Sequence, residues 1–286
     1  MEEFSYMESF TVTQKERISE LGGGPELMEQ TFESSEERNK AFRELEKKLV
    51  RECRAEISKL VNEKHMTRTV ETGRILEQWL MDEGFTKVVT PTIISREMLA
   101  KMSIDDFHHL SEQVFWLDGK KCLRPMLAPN LYVMMRELHR ISKEPVKIFE
   151  IGSCFRKESQ GAQHMNEFTM LNCVELAQVK DGEQKQELER LAKKAMEVLG
   201  VSEEEYEIVV EESTVYGFTF DIEINGMEVA SGAYGPHDLD PAWGVFDTWV
   251  GIGFGIERLT MALNKGHTIK RYGKSIAFID GQPLNV

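Results

Sequence analysis

The chain has 286 residues, of which 41% are hydrophobic and 29% charged, and its formal net charge is −14. That length allows one large domain or two modest ones, with roughly three quarters of the extended-chain surface open to burial. No apolar run nears the ~18 residues of a membrane span, the N-terminus has no secretory signal, and a nonspecific nucleic-acid coat would be basic; a soluble, cytoplasmic globular protein is the expectation.

Thr13-Gln14-Lys15-Glu16 has capping-box spacing and opens a short helix that Gly22-Gly23-Gly24-Pro25 stops. Ser34-Ser35-Glu36-Glu37 opens a longer helix with Phe42, Leu45, Leu49, Cys53, Ile57 and Leu60 on one face. Residues 38–68 hold ten Lys or Arg against five Glu, a basic island in an acidic chain. It suits a solvated helix face with ion pairs, or a helix lying along a phosphate backbone. A second helix is predicted over 67–81, with Gly84 as its stop. A β-like run over 85–91 ends in Pro91, and 113–123 reads as a hairpin turning at Asp118-Gly119. Pro129 starts a helix to about His139. Strands follow over 146–155 and 167–176, joined by a polar loop, and then a charged amphipathic helix over 182–199. Strand candidates at 206–215, 217–224 and 227–233 include a hairpin at Asn225-Gly226, and a strand at 249–254 runs into a helix over 255–264. The pattern predicts an α+β fold, an antiparallel sheet flanked by helices with an N-terminal helical extension. The predicted division is 1–66 for the extension and 67–286 for the catalytic domain.

Cys53, Cys122, Cys154 and Cys173 show no Cys-x-x-Cys spacing and read as packing residues in a reducing compartment. Gly273-Lys274-Ser275 is not a P-loop, because Thr268 stands where the first glycine belongs. Gly251-Ile-Gly253-Phe-Gly255-Ile256 is not a dinucleotide fingerprint, because its third glycine position holds Ile256.

Three separated features fit another pattern. Pro91 ends a strand after a long helix; Phe155-Arg156-Lys157-Glu158 lies between two β-runs; Gly251-Ile-Gly253-Phe-Gly255-Ile-Glu257-Arg258 runs from strand into helix. In this order they resemble motifs one, two and three of class II aminoacyl-tRNA synthetases. The chemistry explains the residue types. Activating a carboxylic acid with ATP brings a carboxylate to the α-phosphate and builds charge on phosphate oxygens, which a fixed guanidinium, Arg156, neutralises. Arg258 packs on the adenine or reaches the γ-phosphate, and Phe168 closes the other face of the base. Glu228, with the Ser231 hydroxyl, is the candidate for holding Mg2+ on the phosphates.

Four blocks narrow the resemblance: Cys122-Leu-Arg-Pro-Met-Leu-Ala-Pro-Asn-Leu-Tyr132, Lys147-Ile-Phe-Glu-Ile-Gly-Ser-Cys-Phe-Arg-Lys-Glu-Ser159, Glu167-Phe-Thr-Met-Leu-Asn172 and Gly253-Phe-Gly-Ile-Glu-Arg-Leu259. They are similar to pyrrolysyl-tRNA synthetases, in a short form without the separate basic N-terminal tRNA-binding domain. The resemblance implies activation of pyrrolysine with ATP and its transfer to the 3′ end of a cognate tRNA. It also implies a homodimer formed through motif one. By the same resemblance Met126, Ala128, Leu131, Tyr132, Met135, Val174 and Trp249 build an apolar cavity for the bulky lysine-derived side chain. Asn172 hydrogen-bonds its amide, and Tyr216 closes over it. Glu158, His164, Met165 and Phe168 lie around ATP.

Two positions depart from the family pattern. Met165 stands where leucine is usual, and Tyr234, in Gly232-Ala233-Tyr234, replaces a small apolar residue. An inward-pointing Tyr234 would reshape the cavity. Other readings are a class II synthetase, native or engineered, for another bulky lysine analogue or a phenylalanine- or phosphoserine-like substrate, and a non-catalytic synthetase-like RNA-binding module. The basic residues of 38–68, with Lys265, Lys270, Arg271 and Lys274, are the expected tRNA contacts.

Overall fold

The first helix starts at Thr11, two residues ahead of the predicted cap. The Thr11 hydroxyl accepts from the Gln14 N–H at 3.2 Å, and the Gln14 side chain accepts from the Thr11 N–H at 3.0 Å. Both Thr11 and Thr13 satisfy the capping pattern, but the earlier start leaves Phe10 buried with Ile18 and Leu21. The computed structural model describes residues 7–157 and 165–286. Their chain forms two compact units, one running to Arg68 and including Ser275–Val286, the other Thr69–Lys274.

In the first unit, β1 (Glu8–Ser9) pairs antiparallel with β2 (Thr31–Phe32), and between them lie α1 (Val12–Glu20) and α2 (Pro25–Met28). The long α3 (Ser35–Lys59) is capped by Ser34, which accepts from the Glu37 N–H. Leu49 and Cys53 of α3 are buried against Phe10, Ile18 and Leu21, as the apolar spacing predicts. A π-helical turn (Leu60–Lys64) ends the helix at His65, in the left-handed region with φ 60°.

In the second unit, α4 (Arg68–Asp82) stops at Gly84, whose φ is +85°. Next is β3 (Thr86–Lys87), much shorter than the run predicted to Pro91. Glu150 takes the Thr90 N–H at 3.1 Å, and proline has none to give, so the ladder cannot continue. Then come β4 (Ile93–Ser95), α5 (Arg96–Ala100) and β5 (Lys121–Leu123). The Asp118 carboxylate accepts from the Lys120 and Lys121 N–H groups at the predicted turn, and β5 pairs on outward to β4. After α6 (Ala128–Ser142), strands β6 (Val146–Phe155) and β7 (Glu167–Leu176) pair along their full length. Helix α7 (Gln184–Val198) leads to β8 (Glu207–Ser213), β9 (Gly217–Ile224) and β10 (Met227–Gly235). Asn225 and Gly226 both have positive φ, as their hairpin demands. The short α8 (Asp240–Trp243) precedes β11 (Trp249–Gly255), which runs into α9 (Ile256–Leu263). Finally, β12 (Phe278–Ile279) and β13 (Gln282–Pro283) form a hairpin in the first unit.

The main sheet has the order β3-β6-β7-β11-β10-β9-β8. All its pairs are antiparallel except β3 with β6, a parallel edge pair that the sequence reading did not include. One face packs on α4, α7 and α9 through Leu80, Leu191 and Leu259. The other supports α6, α8 and the 94–127 segment through Leu127, Tyr132 and Trp243. Strand alternation therefore gives β7 and β11 one core face and one working face. Among the described residues, no helix is long and apolar enough to cross a membrane.

Candidate active site

The alternation Gly251, Gly253, Gly255 has a direct consequence. Val250, Ile252 and Phe254 fill the helix-backed core, so the three glycines all face the opposite side and leave β11 bare there. Over that floor lies a cavity of about 350 Å³. Its walls are β7, β10, α6 and the turn after β8.

Arg156 and Arg258, about a hundred residues apart in sequence, both line this cavity. Arg156 follows β6; its Nε donates to the Pro125 carbonyl at 2.9 Å and its guanidinium lies 5.2 Å from the Phe168 ring centroid. Arg258 sits in the first turn of α9, where Nη1 donates to the Glu228 carbonyl at 3.0 Å and lies 3.5 Å from its carboxylate. Burial raises the Glu228 carboxyl above the ordinary range; Arg258 and Arg156 oppose the shift, while Asp221 and Glu223 add to it. Ser231 faces the same region and donates to Asp221 at 2.6 Å. Glu228, Ser231 and Asp221 are hard oxygen donors on adjacent strands, and they fit Mg2+. Among the described residues no group of three or more His, Cys, Asp or Glu side chains could hold a metal ion.

Met165, Phe168, Met126, Ala128, Leu131, Tyr132, Met135, Asn172, Val174, Tyr216 and Trp249 all line the cavity as well. Glu158 and His164 lie outside the described residues. Asn172 projects beside Gly253, its cross-strand partner; a Cβ added at Gly253 would fall 2.8 Å from the Asn172 Oδ1. Among the described residues the Asn172 side chain has no hydrogen-bond partner, so its amide is free to meet a ligand. Tyr132 stacks on Trp243 at 5.1 Å and stands edge-on to Trp249. Tyr216 in turn stands edge-on to Trp249 and His237.

Tyr234 does not reshape this space. It stands on the opposite face of β10, tilted against Phe220 at 5.7 Å, among the residues packed on the helix-backed core. Gly232 points its vacant side-chain direction to Leu188 of α7, so its backbone alone borders the cavity.

Sequence reasoning missed three carboxylates. Asp240, 2% exposed, accepts from the Tyr132 hydroxyl at 2.9 Å and the Trp249 indole N–H at 2.8 Å, and so braces two cavity walls. Burial raises the Tyr132 phenol, and the neighbouring Asp240 adds to the shift. Glu257, also 2% exposed, accepts from the Thr169 N–H through both oxygens, at 3.0 and 2.8 Å, which ties α9 to the strand bearing Phe168. Burial raises the Glu257 carboxyl, and the Thr169 bonds oppose that shift. Asp221 orients Ser231. Only Glu257 carried a sequence signal, its place beside Arg258 in the third motif.

Comparison with known proteins agrees with the fold. The family described as tRNA synthetases class II core domain (F) matches residues 54–280. Among curated relatives, the threonine–tRNA ligase of Finegoldia magna is 29% identical over 98 residues, 33% of this chain and 15% of the relative. The O-phosphoserine–tRNA(Cys) ligase of Methanothermobacter thermautotrophicus is 25% identical over 166 residues, 54% of this chain and 30% of the relative. The chain thus spans less than a third of the length of these curated relatives. Two solved structures of pyrrolysyl-tRNA synthetase from Desulfitobacterium hafniense match it far more fully. One is 46% identical with a TM-score of 0.89, covering 97% of this chain and 96% of that one. The other is 47% identical with a TM-score of 0.91, covering 97% and 99%. Motifs, sheet order and full-length similarity together assign the chain to the class II core family of tRNA synthetases and, within it, to the pyrrolysyl-tRNA synthetases.

Proposed function

We propose that this protein activates pyrrolysine with ATP to the aminoacyl-adenylate and transfers the acyl group to the 3′ end of its cognate tRNA. One observation carries the reading: two guanidinium groups, Arg156 and Arg258, line the same cavity as the apolar side chains of α6 and β7 and the unpartnered amide of Asn172. ATP lies over the glycine floor, with its adenine between Phe168 and Arg258. Met165 borders the nucleotide as well. The substrate carboxylate attacks the α-phosphorus, and pyrophosphate leaves. Arg156 holds both reacting anions and neutralises the charge growing on the phosphoryl oxygens. Arg258 steadies the nucleotide while Glu228 keeps its side chain in place. Glu228 and Ser231 would hold Mg2+, which would supply further neutralisation of phosphate charge. Leu131, Tyr132, Met135, Val174 and Trp249 take the apolar part of the substrate, Met126 and Ala128 border it, and Asn172 donates to its side-chain amide carbonyl. Tyr216 covers the cavity.

A phosphoserine-like substrate is disfavoured, because Arg156 and Arg258 are the only Arg or Lys side chains lining the cavity among the described residues, and both belong to the nucleotide end. For tRNA, the support is a stripe of exposed cations on α3, Lys40, Arg43, Lys47, Arg51 and Arg54, which no ion pair engages among the described residues. Lys274 is less suited, being paired with Glu167 at 2.7 Å. Homodimer formation is supported by Val89 and Ile93, 85% and 50% exposed on either side of Pro91. The reading places the protein in the cytoplasm with its tRNA. Pyrophosphate exchange tests it: exchange should depend on pyrrolysine and be absent with phenylalanine or phosphoserine. Equal exchange with phenylalanine would contradict the substrate assignment.

A further inference from the structure

The motif-two arginine does not set its own position. Its Nε is tied to the carbonyl of Pro125, and that carbonyl belongs to a segment held by an unusual buried cation. Arg124 is 3% exposed, and its ion-pair partner Glu150 is 1% exposed. Two backbone bonds clamp Arg124: its N–H donates to Thr92 O at 2.9 Å, and its carbonyl accepts from the Phe155 N–H at 2.9 Å, one residue before Arg156. Its side chain reaches the strand β6 and the Thr90 segment. Nε donates to Ser153 O at 2.9 Å, and Nη1 to Glu150 at 2.8 Å and to the Thr90 hydroxyl at 2.9 Å. The second oxygen of Glu150 accepts from the Thr90 hydroxyl at 2.5 Å, and Asn130 donates to both Thr90 and the Pro91 carbonyl. The guanidinium occupies the space over Gly152, where an added Cβ would fall 2.1 Å from Nη2.

Burying a charge pair at this depth gains little stability over an apolar pair of the same volume. A five-donor planar fork does give a fixed geometry. We infer that Arg124 is a positioning residue for adenylate formation: with Glu150 it locks the Pro125 carbonyl, and so aims the Arg156 guanidinium at the reacting phosphate. The same network joins the Thr90–Pro91 segment of motif one to motif two inside one subunit. This inference rests on the reading of Arg156 as the group that binds the reacting anions.

The test is a double-mutant cycle in pyrophosphate exchange using Arg124→Lys, Arg156→Ala and their combination. Arg124→Lys keeps the charge opposite Glu150 but cannot reach Ser153 and Thr90 at once. It should lower kcat about tenfold or more, with the KM for pyrrolysine within about twofold of the parent. In the Arg156→Ala background the same change should have almost no further effect, because a residue acting through Arg156 has nothing left to aim. A second pair, Arg124→Met with Glu150→Gln, removes the buried charges together. It should melt near the parent temperature yet remain slow. The inference is overturned if Arg124→Lys retains parental kcat, if its effect multiplies with that of Arg156→Ala, or if the uncharged pair regains full activity. If Arg156→Ala itself exchanges at the parental rate, the reading of the active site fails instead.

Discussion

Asn172 concentrates the amino-acid specificity of the proposal in one amide. Gly253 leaves it room, and no described neighbour satisfies it, so its hydrogen-bonding capacity is reserved for the substrate. Asn172→Ala should raise the KM for pyrrolysine about ten- to a hundredfold and leave the KM for ATP unchanged, as read by exchange kinetics. An unchanged pyrrolysine KM would place the substrate elsewhere. Glu228 gives a pH signature. Its carboxyl is raised, chiefly by burial, so protons compete for it at a higher pH than for an ordinary carboxylate. The Mg2+ concentration needed for half-maximal exchange should therefore climb as pH falls from 7 towards 5. Glu228→Gln should raise the Mg2+ requirement at pH 7 and flatten its pH profile; a parallel climb in the variant would contradict the assignment. That Arg156, Glu228 and Arg258 share one cavity was legible in the sequence, because their residue types and order match a known chemistry. Asp240 was not, because its partners Tyr132 and Trp249 meet it only in the fold.

At the scale of elements, alternation decides what each strand offers. β10 turns Ser231 and Ala233 to the cavity and Tyr234 to Phe220, so the bulky residue in the Gly232-Ala233-Tyr234 segment is a packing residue. Tyr234→Ala should cost about 1–3 kcal/mol in unfolding free energy, measured by denaturant melts, while the KM for pyrrolysine stays within about twofold. A change in substrate preference with unchanged stability would reverse that conclusion. Strands β6 and β7 were legible to their ends, since their β-rich runs are long and flank a polar loop. The brevity of β3 was not legible, because its ladder is cut by Glu150, sixty residues from Thr90. Nor was the first helix cap, where two threonines offered the same local pattern and the burial of Phe10 decided between them.

At the scale of the whole molecule, a chain of net charge −14 must still attract a polyanion. The exposed cations of α3 give a local answer, because Coulombic attraction is screened within about 10 Å at moderate salt and local charge outweighs the sum. Replacing Lys47, Lys48 and Arg51 together with Glu should raise the KM for tRNA in aminoacylation at least tenfold, make it less sensitive to salt, and spare pyrophosphate exchange. Equal loss of both activities would refute α3 as a tRNA contact. The fold class was legible at this scale from the succession of helices and strands, whereas the inclusion of Ser275–Val286 in the first unit was not, since only tertiary contacts reveal it. The proposed adenylate formation requires Arg156 and Arg258, which line one cavity, to act on one nucleotide. The most direct measurement is a crystal structure with a non-hydrolysable ATP analogue and Mg2+: both guanidiniums should contact that nucleotide, Arg156 at the α-phosphate, with the base against Phe168. A nucleotide bound away from either arginine would contradict the account.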